Sequence, residues 1–407
     1  MNDIDKKKFT VLILGSDINA YNMARCFHEI YNEKVDMMAR LFSGPTKYTN
    51  IINPITISDG NDNTVLNSLN SYAIASKSDN VLLIATSDKT VRQVVEIKDK
   101  LNKKFIFNYP SLDIVNKLLI KANFYKQFSN ELSLPKTILY SCNDSEMPNV
   151  NFQYPIILKP SNNIEYHNHE FANMSKVYKL NSNSELNDVV NKIKISGYKD
   201  ELIIQEFIPG GDDSLFDAVF YCGKDKKVKL MTFAQIGLQE RTNTGVGNCT
   251  VLVNGFDEYG YKEEIIIKMK EFLEKIGYQG FAEFDLKYDY RDGKYKIFEI
   301  NPRQARSSYY LSACGHNLVK YLIDDLIYNK NISTTIMKDK MLLTFVPKYV
   351  IRKYVNSIPL KSEIEKLIKL GKMVRPLHYK KDNSIIRKIY LFIRDLNYIW
   401  KYRKLNW

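Results

Sequence analysis

The sequence has 407 residues, of which 44% are apolar and 12% aromatic, so it can form substantial hydrophobic cores and is not a disordered chain. Its length predicts two or three domains at roughly 150 residues each. The net charge of +13 is uneven: residues 348–407 contain 16 Lys and Arg against 4 Asp and Glu, and the rest of the chain is nearly neutral. This distribution disfavours a generally basic nucleic-acid-binding protein.

The cysteine pattern and the lack of long apolar runs indicate a protein of the reducing cytoplasm. Five cysteines are widely spaced and none forms a CxxC pair, which disfavours a disulfide framework or a zinc site. No stretch approaches about 18 consecutive apolar residues, so we expect no transmembrane helix. We therefore predict a cytoplasmic location.

The first 110 residues alternate strands with helices. Residues 9–15 (FTVLILG) predict a buried strand and 19–31 an amphipathic helix, and two further strands are predicted at 81–85 and 105–107, separated by a helix. This alternation is typical of a parallel, Rossmann-like α/β lobe, which we place at residues 1–110. LGSDINAYN follows the first strand in place of GxGxxG, which disfavours a nicotinamide dinucleotide site.

The next two units are predicted at residues 111–210 and 211–335. The first begins with a helix over 111–134, ended by Pro135, and continues as short strands at 136–140, 155–159, 176–180 and 202–207. The second consists mostly of strands, at 216–222, 228–235, 280–288 and 295–300, with a helix at 263–276. Residues 336–407 remain as a basic C-terminal segment.

Acidic side chains follow a distinctive spacing in residues 280–303 (GFAEFDLKYDYRDGKYKIFEINPR). If the two strands pair as a hairpin, Asp285 and Glu299 are neighbours and Asn301 shares their face. These oxygen ligands suit Mg²⁺, with Mn²⁺ as an alternative, and Arg303 would lie beside a bound phosphate. The alternative is an ordinary hairpin with a solvated polar face.

This segment resembles the C-terminal core motif of ATP-grasp enzymes, in which an acid on one strand precedes E-x-N-x-R on the next. The helix around residue 117, the strand ILKP (157–160) and the run IIQEFIPGGDD (203–213) resemble further landmarks of that family, in the right order. The resemblance implies an α+β grasp fold of two subdomains behind the Rossmann-like lobe, with ATP and Mg²⁺ as cofactors. The ATP-binding residues that it implies include Lys117 on the nucleotide side and Lys159 at the phosphates. They also include Gln205, Glu206, Phe207 and Ile208, where the backbone around Glu206–Ile208 would bind the adenine edge. Asp213, with Asp212 as the alternative, would bind the ribose.

The segment 161–176 departs from the family pattern because it contains no glycine, whose flexibility lets backbone amides cover phosphates. Lys176 is predicted to supply a phosphate contact there. His167 and His169 lie two residues apart, but no Cys or third His is near them in sequence. We interpret the segment as a polar loop in preference to a metal site.

Within the ATP-grasp enzymes, the chain most resembles the D-aspartate ligase group of carboxylate–amine ligases. The stretches that carry this resemblance are LGSDINAYNMARCFHE, ATSDKTV, NPRQARSSYYLSACGHNLVKYLIDD and IRKIYLFIRDLNYIWKYRK. The resemblance implies a β-aspartyl phosphate, with the lysine ε-amine of a peptidoglycan precursor stem peptide as acceptor. The alternatives are a ligase for another amino acid or carboxylate, in capsule or peptide synthesis, and a non-catalytic membrane- or nucleic-acid-binding protein.

Two arginines are candidates for binding a second carboxylate of the substrate. Arg241 lies in QERTNTGVGNCT (239–250), where two glycines permit close backbone approach, and Arg306 follows the acidic motif. We take Arg241 as the first candidate and Arg306 as the second. The alternative for residues 239–250 is a flexible hairpin loop with a solvated arginine.

Residues 386–406 mix Lys and Arg with aliphatic and aromatic residues. This composition suits an amphipathic helix in peripheral contact with the anionic inner surface of a membrane. The same charge could hold an anionic peptidoglycan precursor, or the basic face could simply pack on the body of the protein. No nucleic-acid-binding signature accompanies it, so we expect no nucleic-acid partner.

Overall fold

The N-terminal part of the chain is a parallel sheet flanked by helices in the computed structural model, which describes residues 9–242, 245, 247–260 and 262–404. The strands lie in the order β3-β2-β1-β4-β5. The elements are β1 (Phe9–Leu14), α1 (Ile18–Tyr31), β2 (Val35–Ala39), β3 (Ile52–Thr56), α2 (Asp62–Ala75), β4 (Asn80–Ala85), α3 (Asp88–Glu96) and β5 (Phe105–Ile106). The predicted α/β lobe is confirmed, although β2, β3 and α2 were not among its predicted elements.

The strand order of this sheet reverses between β1 and β4. The carboxyl ends of these two strands therefore form the edge at which open α/β sheets commonly bind ligands. Gly15 leaves β1 with a φ of +136°, and a Cβ there would collide with the Thr86 hydroxyl, so the close approach of the two strand ends requires glycine. Ser87 caps α3 by accepting a hydrogen bond from the Thr90 amide at 3.2 Å. Asp88 is therefore fixed at the start of the helix.

An antiparallel sheet in the order β6-β9-β7-β8 forms the second unit. Its elements are α4 (Leu112–Leu119), α5 (Lys121–Phe128), β6 (Thr137–Ser141), β7 (Ile156–Pro160), α6 (Asn163–His167), β8 (Tyr178–Leu180), α7 (Asn183–Ile195) and β9 (Glu201–Glu206). The helix predicted over 111–134 is two helices, since Ile120 between them has the extended angles φ −84° and ψ 103°. The segment predicted as a polar loop contains the short helix α6.

A larger sheet carries the acidic motif. Its main path runs β15-β14-β10-β12-β13-β17-β18, where β18 is Met373–Val374; off this path, β11 pairs with β10 and β16 pairs with β11. The elements of this part are β10 (Leu215–Cys222), β11 (Val228–Met231), β12 (Ala234–Gln239), β13 (Cys249–Asn254), α8 (Lys262–Lys275), β14 (Gly280–Asp289), β15 (Lys294–Asn301), α9 (Tyr309–Ala313), α10 (Leu318–Leu322), β16 (Thr335–Ile336) and β17 (Met341–Thr344). The fold is thus the mixed α/β architecture that the sequence predicts.

The basic C-terminal segment packs on both the larger sheet and the N-terminal lobe. Its elements after β17 are α11 (Lys348–Tyr354), α12 (Ile358–Lys369), β18 (Met373–Val374) and α13 (Ile385–Lys404). Strand β17 pairs antiparallel with β13, so the predicted domain boundary at residue 335 cuts a continuous sheet. None of the helices in the described parts of the chain combines the length and apolar character needed to span a bilayer.

Candidate active site

A cavity of about 650 Å³ lies where the three parts of the fold meet. One wall comes from the sheet containing β7 and β9, and a second from β14 and β15 with the chain that follows them. The N-terminal lobe supplies the third wall through residues 86–88 and the start of α1. We refer to this cavity as the cleft.

The acidic motif lies on adjacent strands of the cleft. In the antiparallel pairing of β14 with β15, Asp285 is opposite Glu299 and Glu283 is opposite Asn301, which confirms the predicted hairpin and its register. The side-chain amide of Asn301 donates hydrogen bonds to Glu283 at 2.6 Å and to Asp285 at 3.3 Å. Two carboxylates and an amide oxygen from neighbouring strands therefore face the same space.

The carboxyl groups of this cluster differ sharply in acidity. The Lys121 ammonium, 2.6 Å from Glu299, lowers the pKa of that carboxyl to about 2. Burial, reinforced by the charge of Asp217, raises the pKa of Glu283 to about 8. Burial and the charges of Glu283 and Glu299 hold the pKa of Asp285 well above its usual range. Burial and the neighbouring carboxylates thus both disfavour a negative charge on Asp285.

A divalent cation fits this donor set. Among the described residues, no group of three or more His, Cys, Asp or Glu side chains is arranged to hold a metal ion by itself. Mg²⁺ does not require such a cage, since it is commonly bound through one or two carboxylates together with substrate phosphates and water. Asp285, Glu299 and the Asn301 oxygen meet that requirement, and a bound cation would relieve the carboxylate repulsion at Asp285.

Four lysines line the cleft, namely Lys121, Lys159, Lys176 and Lys287. The Lys159 ammonium donates to the Tyr125 hydroxyl at 3.1 Å. Burial, together with the like charge of Lys121, lowers the pKa of Lys159 to about 7. Lys176 lies in the exposed chain just before β8. The sequence did not single out Lys121, which forms the closest contact with the acidic motif.

Lys117 lies outside the cleft. Its ammonium pairs with Asp113 one turn earlier in α4, at 2.6 Å, and both side chains line a separate cavity of about 540 Å³. Residues four apart on one helix share a face, but α4 ends before Ile120, whose backbone is extended. Lys121 therefore begins a new helix and points into the cleft. Lys117, which the sequence predicts to lie on the nucleotide side, therefore does not line the cleft, whereas Lys121 does.

The segment predicted to bind ATP, Gln205–Ile208, lines the cleft at the end of β9. Gln205 is buried and its amide donates to the Thr137 hydroxyl at 2.8 Å. The Glu206 carboxylate accepts hydrogen bonds from the backbone amide of residue 136 at 2.8 Å and from Arg291 at 2.9 Å. These contacts fix the segment against β6 and the β14–β15 turn.

The acids predicted to bind ribose do not line the cleft. Asp212 accepts hydrogen bonds from the backbone and side chain of Gln239, at 3.0 and 2.9 Å, and lies 3.5 Å from Arg241. Asp213 contributes its backbone carbonyl to Gln235 at 2.6 Å. In their place the cleft presents Lys287, whose pKa burial lowers to about 8 and whose ammonium donates to the Gly210 carbonyl at 2.8 Å.

Arg303 joins the acidic motif to the N-terminal lobe. Its guanidinium lies 2.8 Å from Asp88 and 3.7 Å from Glu283, and the residue lines the cleft. Helix α1 fixes the backbone that follows: the Asn19 amide donates to the Gln304 carbonyl at 2.6 Å. The TSDKTV stretch that contains Asp88 lies at the carboxyl end of β4. Ligands of α/β folds commonly bind at this end of the strands, so the position of Asp88 in the sequence was the available signal that it lines the cleft.

The two candidate substrate arginines lie in different surroundings. Arg306 lines the cleft, packs over the Phe345 ring at 4.9 Å and is 3.8 Å from Glu240. Its Nε and Nη2 are buried and have no hydrogen-bond acceptor among the described residues. Arg241 lies behind the cleft wall, between Asp212 and the Tyr402 ring. Asn243, Thr244 and Val246 of the predicted substrate loop lie outside the described residues.

The two histidines of the segment 161–176 have separate environments. His169 lies 2.9 Å from the Glu165 carboxylate and 3.1 Å from the Ser196 carbonyl, whereas His167 ends helix α6. The contacts of His169 thus fasten α6 to the end of α7.

A curated relative decides the family. The chain is 34% identical to a D-aspartate ligase from Enterococcus faecium (strain Aus0004), in an alignment of 423 positions that covers 99% of this chain and 98% of the relative. The chain belongs to the D-aspartate ligase family. It is an ATP-grasp carboxylate–amine ligase. The sequence matches no protein-family model.

Solved structures show the same fold as this ligase. It aligns with an ADP complex of N5-carboxyaminoimidazole ribonucleotide synthetase with a TM-score of 0.58 and 13% identity, covering 83% of this chain and 81% of the other. An L-amino acid ligase from Bacillus licheniformis gives a TM-score of 0.53 and 13% identity, covering 78% and 74%. The chain also spans 29% of a Rhizobium etli pyruvate carboxylase, with a TM-score of 0.55 and 13% identity. These similarities establish the ATP-grasp fold.

Proposed function

We propose that this ligase uses ATP to join the β-carboxylate of D-aspartate to an amine in the cytoplasm. The observation that carries the proposal is the 34% identity to the D-aspartate ligase of Enterococcus faecium over 99% of this chain. The composition of the cleft supports it, because cations suited to phosphates and oxygens suited to Mg²⁺ lie beside an arginine suited to a carboxylate.

The reaction proceeds in two displacements. A β-carboxylate oxygen attacks the γ-phosphorus of ATP, the bond to the bridging oxygen breaks, and ADP leaves behind an acyl phosphate. The neutral amine then attacks the acyl carbon, phosphate leaves with the electron pair of the C–O bond, and the amine nitrogen loses a proton. Catalysis consists of aligning the reactants and neutralising charge, as in other phosphoryl transfers.

The lysines and arginines of the cleft have distinct roles in this scheme. Lys121 and Lys159 neutralise the phosphates, with Lys176 as a contact from the glycine-free segment. Arg303 stabilises the transferred phosphoryl group while Asp88 and Glu283 hold its guanidinium. The segment Gln205–Ile208 receives the adenine base at the other end of the cleft.

The metal-binding residues are Asp285, Glu299 and Asn301. When bound there, Mg²⁺ would supply positive charge that offsets the negative charge of the ATP phosphates. Lys121 keeps Glu299 ionised for this task by holding the pKa of that carboxyl low. The Asn301 amide bridges Glu283 and Asp285 and so sets the spacing of the two strands at the site.

Arg306 binds the α-carboxylate that the reaction leaves unused. Its two buried nitrogens without an acceptor among the described residues can form charge-assisted hydrogen bonds to such a group. Replacing Arg306 by Met should raise the KM for aspartate by about 10- to 100-fold and leave the KM for ATP nearly unchanged. Arg241→Met is the matched control, because that arginine lies behind the cleft wall. The reverse pattern would transfer the role to Arg241.

The acceptor we propose is the lysine ε-amine of a peptidoglycan precursor stem peptide. Support comes from the family, and from the basic C-terminal segment, which suits an anionic precursor.

A screen of amino acids tests the donor and the acceptor together. ADP release should require both D-aspartate and a stem-peptide precursor that carries a free lysine ε-amine. Turnover with a different amino acid or carboxylate would favour a ligase of capsule or peptide synthesis. No turnover with D-aspartate across a panel of precursors would refute the proposed substrate.

A further inference from the structure

Helix α13, the last 20 residues of the described chain, has two apolar faces and uses only one of them for packing. The residues buried against the body of the protein are Arg387, Leu391, Tyr398 and Tyr402. The exposed apolar residues, with the exposed fraction of each, are Ile385 (76%), Ile386 (60%), Ile389 (54%), Phe392 (64%), Ile393 (58%), Leu396 (50%) and Trp400 (54%). We call this second set the outer stripe.

The outer stripe is continuous and lies opposite the packed face. At 100° per residue, its seven members span an arc of about 120° centred on the side of the helix away from Arg387. Isolated exposed apolar residues are common on protein surfaces, but a stripe that runs the length of a helix marks an interaction site.

The charges beside the stripe all have one sign. Lys388 and Lys404 are exposed at its margins, and Arg403 is exposed on the same side of the helix near its end. Asp395, the acidic residue of the helix, is turned aside into an ion pair with Arg375, 2.5 Å away. The exposed charges that α13 itself places beside the stripe are therefore basic, with no exposed carboxylate of that helix to offset them.

We propose that the outer stripe docks on an anionic lipid bilayer, with α13 lying in the plane of the interface. Isoleucine, leucine and phenylalanine side chains would enter the acyl boundary, Trp400 would lie at the headgroup level, and the lysines and arginines would contact lipid phosphates. A second copy of the chain fits less well, because pairing two such helices would bring like charges together.

Docking would place the bilayer close to the cleft. On its packed side α13 reaches Glu240 through the Tyr398 hydroxyl at 2.8 Å, and Glu240 is 3.8 Å from Arg306 of the cleft. The helix would therefore lie between the lipid surface and Arg306 of the cleft. This inference does not depend on the identity of the substrate.

Sedimentation of the full-length protein with vesicles tests the proposal. The protein should bind vesicles of phosphatidylglycerol and phosphatidylcholine in equal parts, bind phosphatidylcholine alone far more weakly, and bind less as salt is raised. The combined substitution Ile389→Gln, Phe392→Gln and Leu396→Gln should reduce binding by at least about tenfold.

The matched control carries three exposed isoleucines elsewhere replaced in the same way: Ile74→Gln, Ile195→Gln and Ile267→Gln. It should bind as the wild type does, and both variants should retain their thermal unfolding midpoint. Should the stripe variant fail to fold, Lys388→Glu with Lys404→Glu leaves the stripe intact and should likewise weaken binding. Undiminished binding by these variants, or equal binding to both kinds of vesicle, would overturn the proposal. So would dissociation of a dimer by the stripe substitutions, measured by light scattering, without vesicle binding.

Discussion

Asp285 and Glu299 face each other on adjacent strands of the cleft, and the pKa values of their carboxyl groups are shifted in opposite directions. The ammonium of Lys121 lowers the pKa of Glu299, whereas burial and neighbouring carboxylates raise the pKa of Asp285. A divalent cation bound by these carboxylates would favour the ionised form of Asp285. The pair is therefore ready to bind a metal without being stable as two bare anions.

Replacing Glu299 by Gln should lower turnover by roughly 10²–10³-fold, because the metal loses a ligand and Lys121 loses its partner. ADP release at saturating Mg²⁺ measures the change. Glu365→Gln is the control, since that carboxylate pairs with Arg352 on the exposed surface. A Glu299→Gln enzyme with full activity would remove this residue from the metal site.

The two lysines at residues 117 and 121 provide a matched test of the nucleotide site. Lys121→Met should raise the KM for ATP and lower turnover, because that ammonium lies in the cleft. Lys117→Met should leave both constants unchanged, since its exposed pair with Asp113 is worth at most about 1 kcal/mol. Equal losses in the two variants would contradict the placement of Lys121 as the nucleotide-side lysine.

Lys159 predicts a pH dependence of ATP binding. Its pKa of about 7 in the free protein means that the amine is charged below that pH and neutral above it. Bound phosphate favours the charged form, so ATP binding takes up a proton and its affinity falls as pH rises through 7, by up to about tenfold per unit.

Titration calorimetry of the ATP affinity at about pH 6 and about pH 8 measures this effect. Lys159→Arg is the reference, because a guanidinium stays charged throughout and the titration of ATP itself is common to both proteins. Parallel profiles for the two proteins would show that Lys159 is already charged in the free enzyme.

At the residue scale, the sequence predicts what depends on local spacing and misses what depends on tertiary contact. The pairing of Asp285 with Glu299 follows from strand periodicity and is confirmed. The position of Lys121 in the cleft depends on the interruption of the helix at Ile120, and no helix-breaking residue in the sequence indicates that interruption. The pair of Arg303 with Asp88 joins residues 215 positions apart, so no local pattern predicts it.

At the scale of elements, helix α13 is fastened to the N-terminal lobe through a buried charge. Arg387 is fully buried, lies 2.8 Å from Asp382 and donates to the carbonyl of residue 45 at 2.7 Å. Asp382 also accepts hydrogen bonds from Tyr21 at 2.8 Å and Thr49 at 2.6 Å. This network ties the C-terminal segment to residues more than 300 positions earlier in the chain.

Replacing Arg387 by Met should lower the free energy of unfolding by about 3–5 kcal/mol, because Asp382 would keep a buried charge without its partner. Urea unfolding measures the loss. Arg352→Met removes an exposed pair and should cost at most about 1 kcal/mol. Similar losses in both variants would mean that the buried pair does not hold α13 in place.

Elements with a continuous apolar run could be predicted from the sequence, whereas elements without one could not. Strands β1 and β4 are nearly uniform in buried apolar residues, as expected for a sheet covered on both faces. Strand β3 contains a proline and several exposed residues, which hide it in the sequence. The pairing of β17 with β13 joins distant segments and could be found only from the structure.

At the scale of the whole molecule, charge separates into two regions. The body of the protein is nearly neutral and has the acidic cluster of Glu283, Asp285 and Glu299 in its cleft, whereas residues 348–407 carry a net charge of +12. The basic segment is nevertheless part of the fold, since it contributes β18 and three helices to the described structure. Its inner face supports the cleft, and its outer stripe remains available to a partner.

The transfer of oxygen from aspartate to phosphate tests the central claim most directly. D-aspartate labelled with oxygen-18 in its β-carboxylate is incubated with ATP, Mg²⁺, the stem-peptide acceptor and the enzyme, and the released phosphate is analysed by mass spectrometry. An acyl phosphate intermediate predicts one labelled oxygen in each phosphate formed. Turnover that releases unlabelled phosphate would contradict activation of the β-carboxylate by ATP.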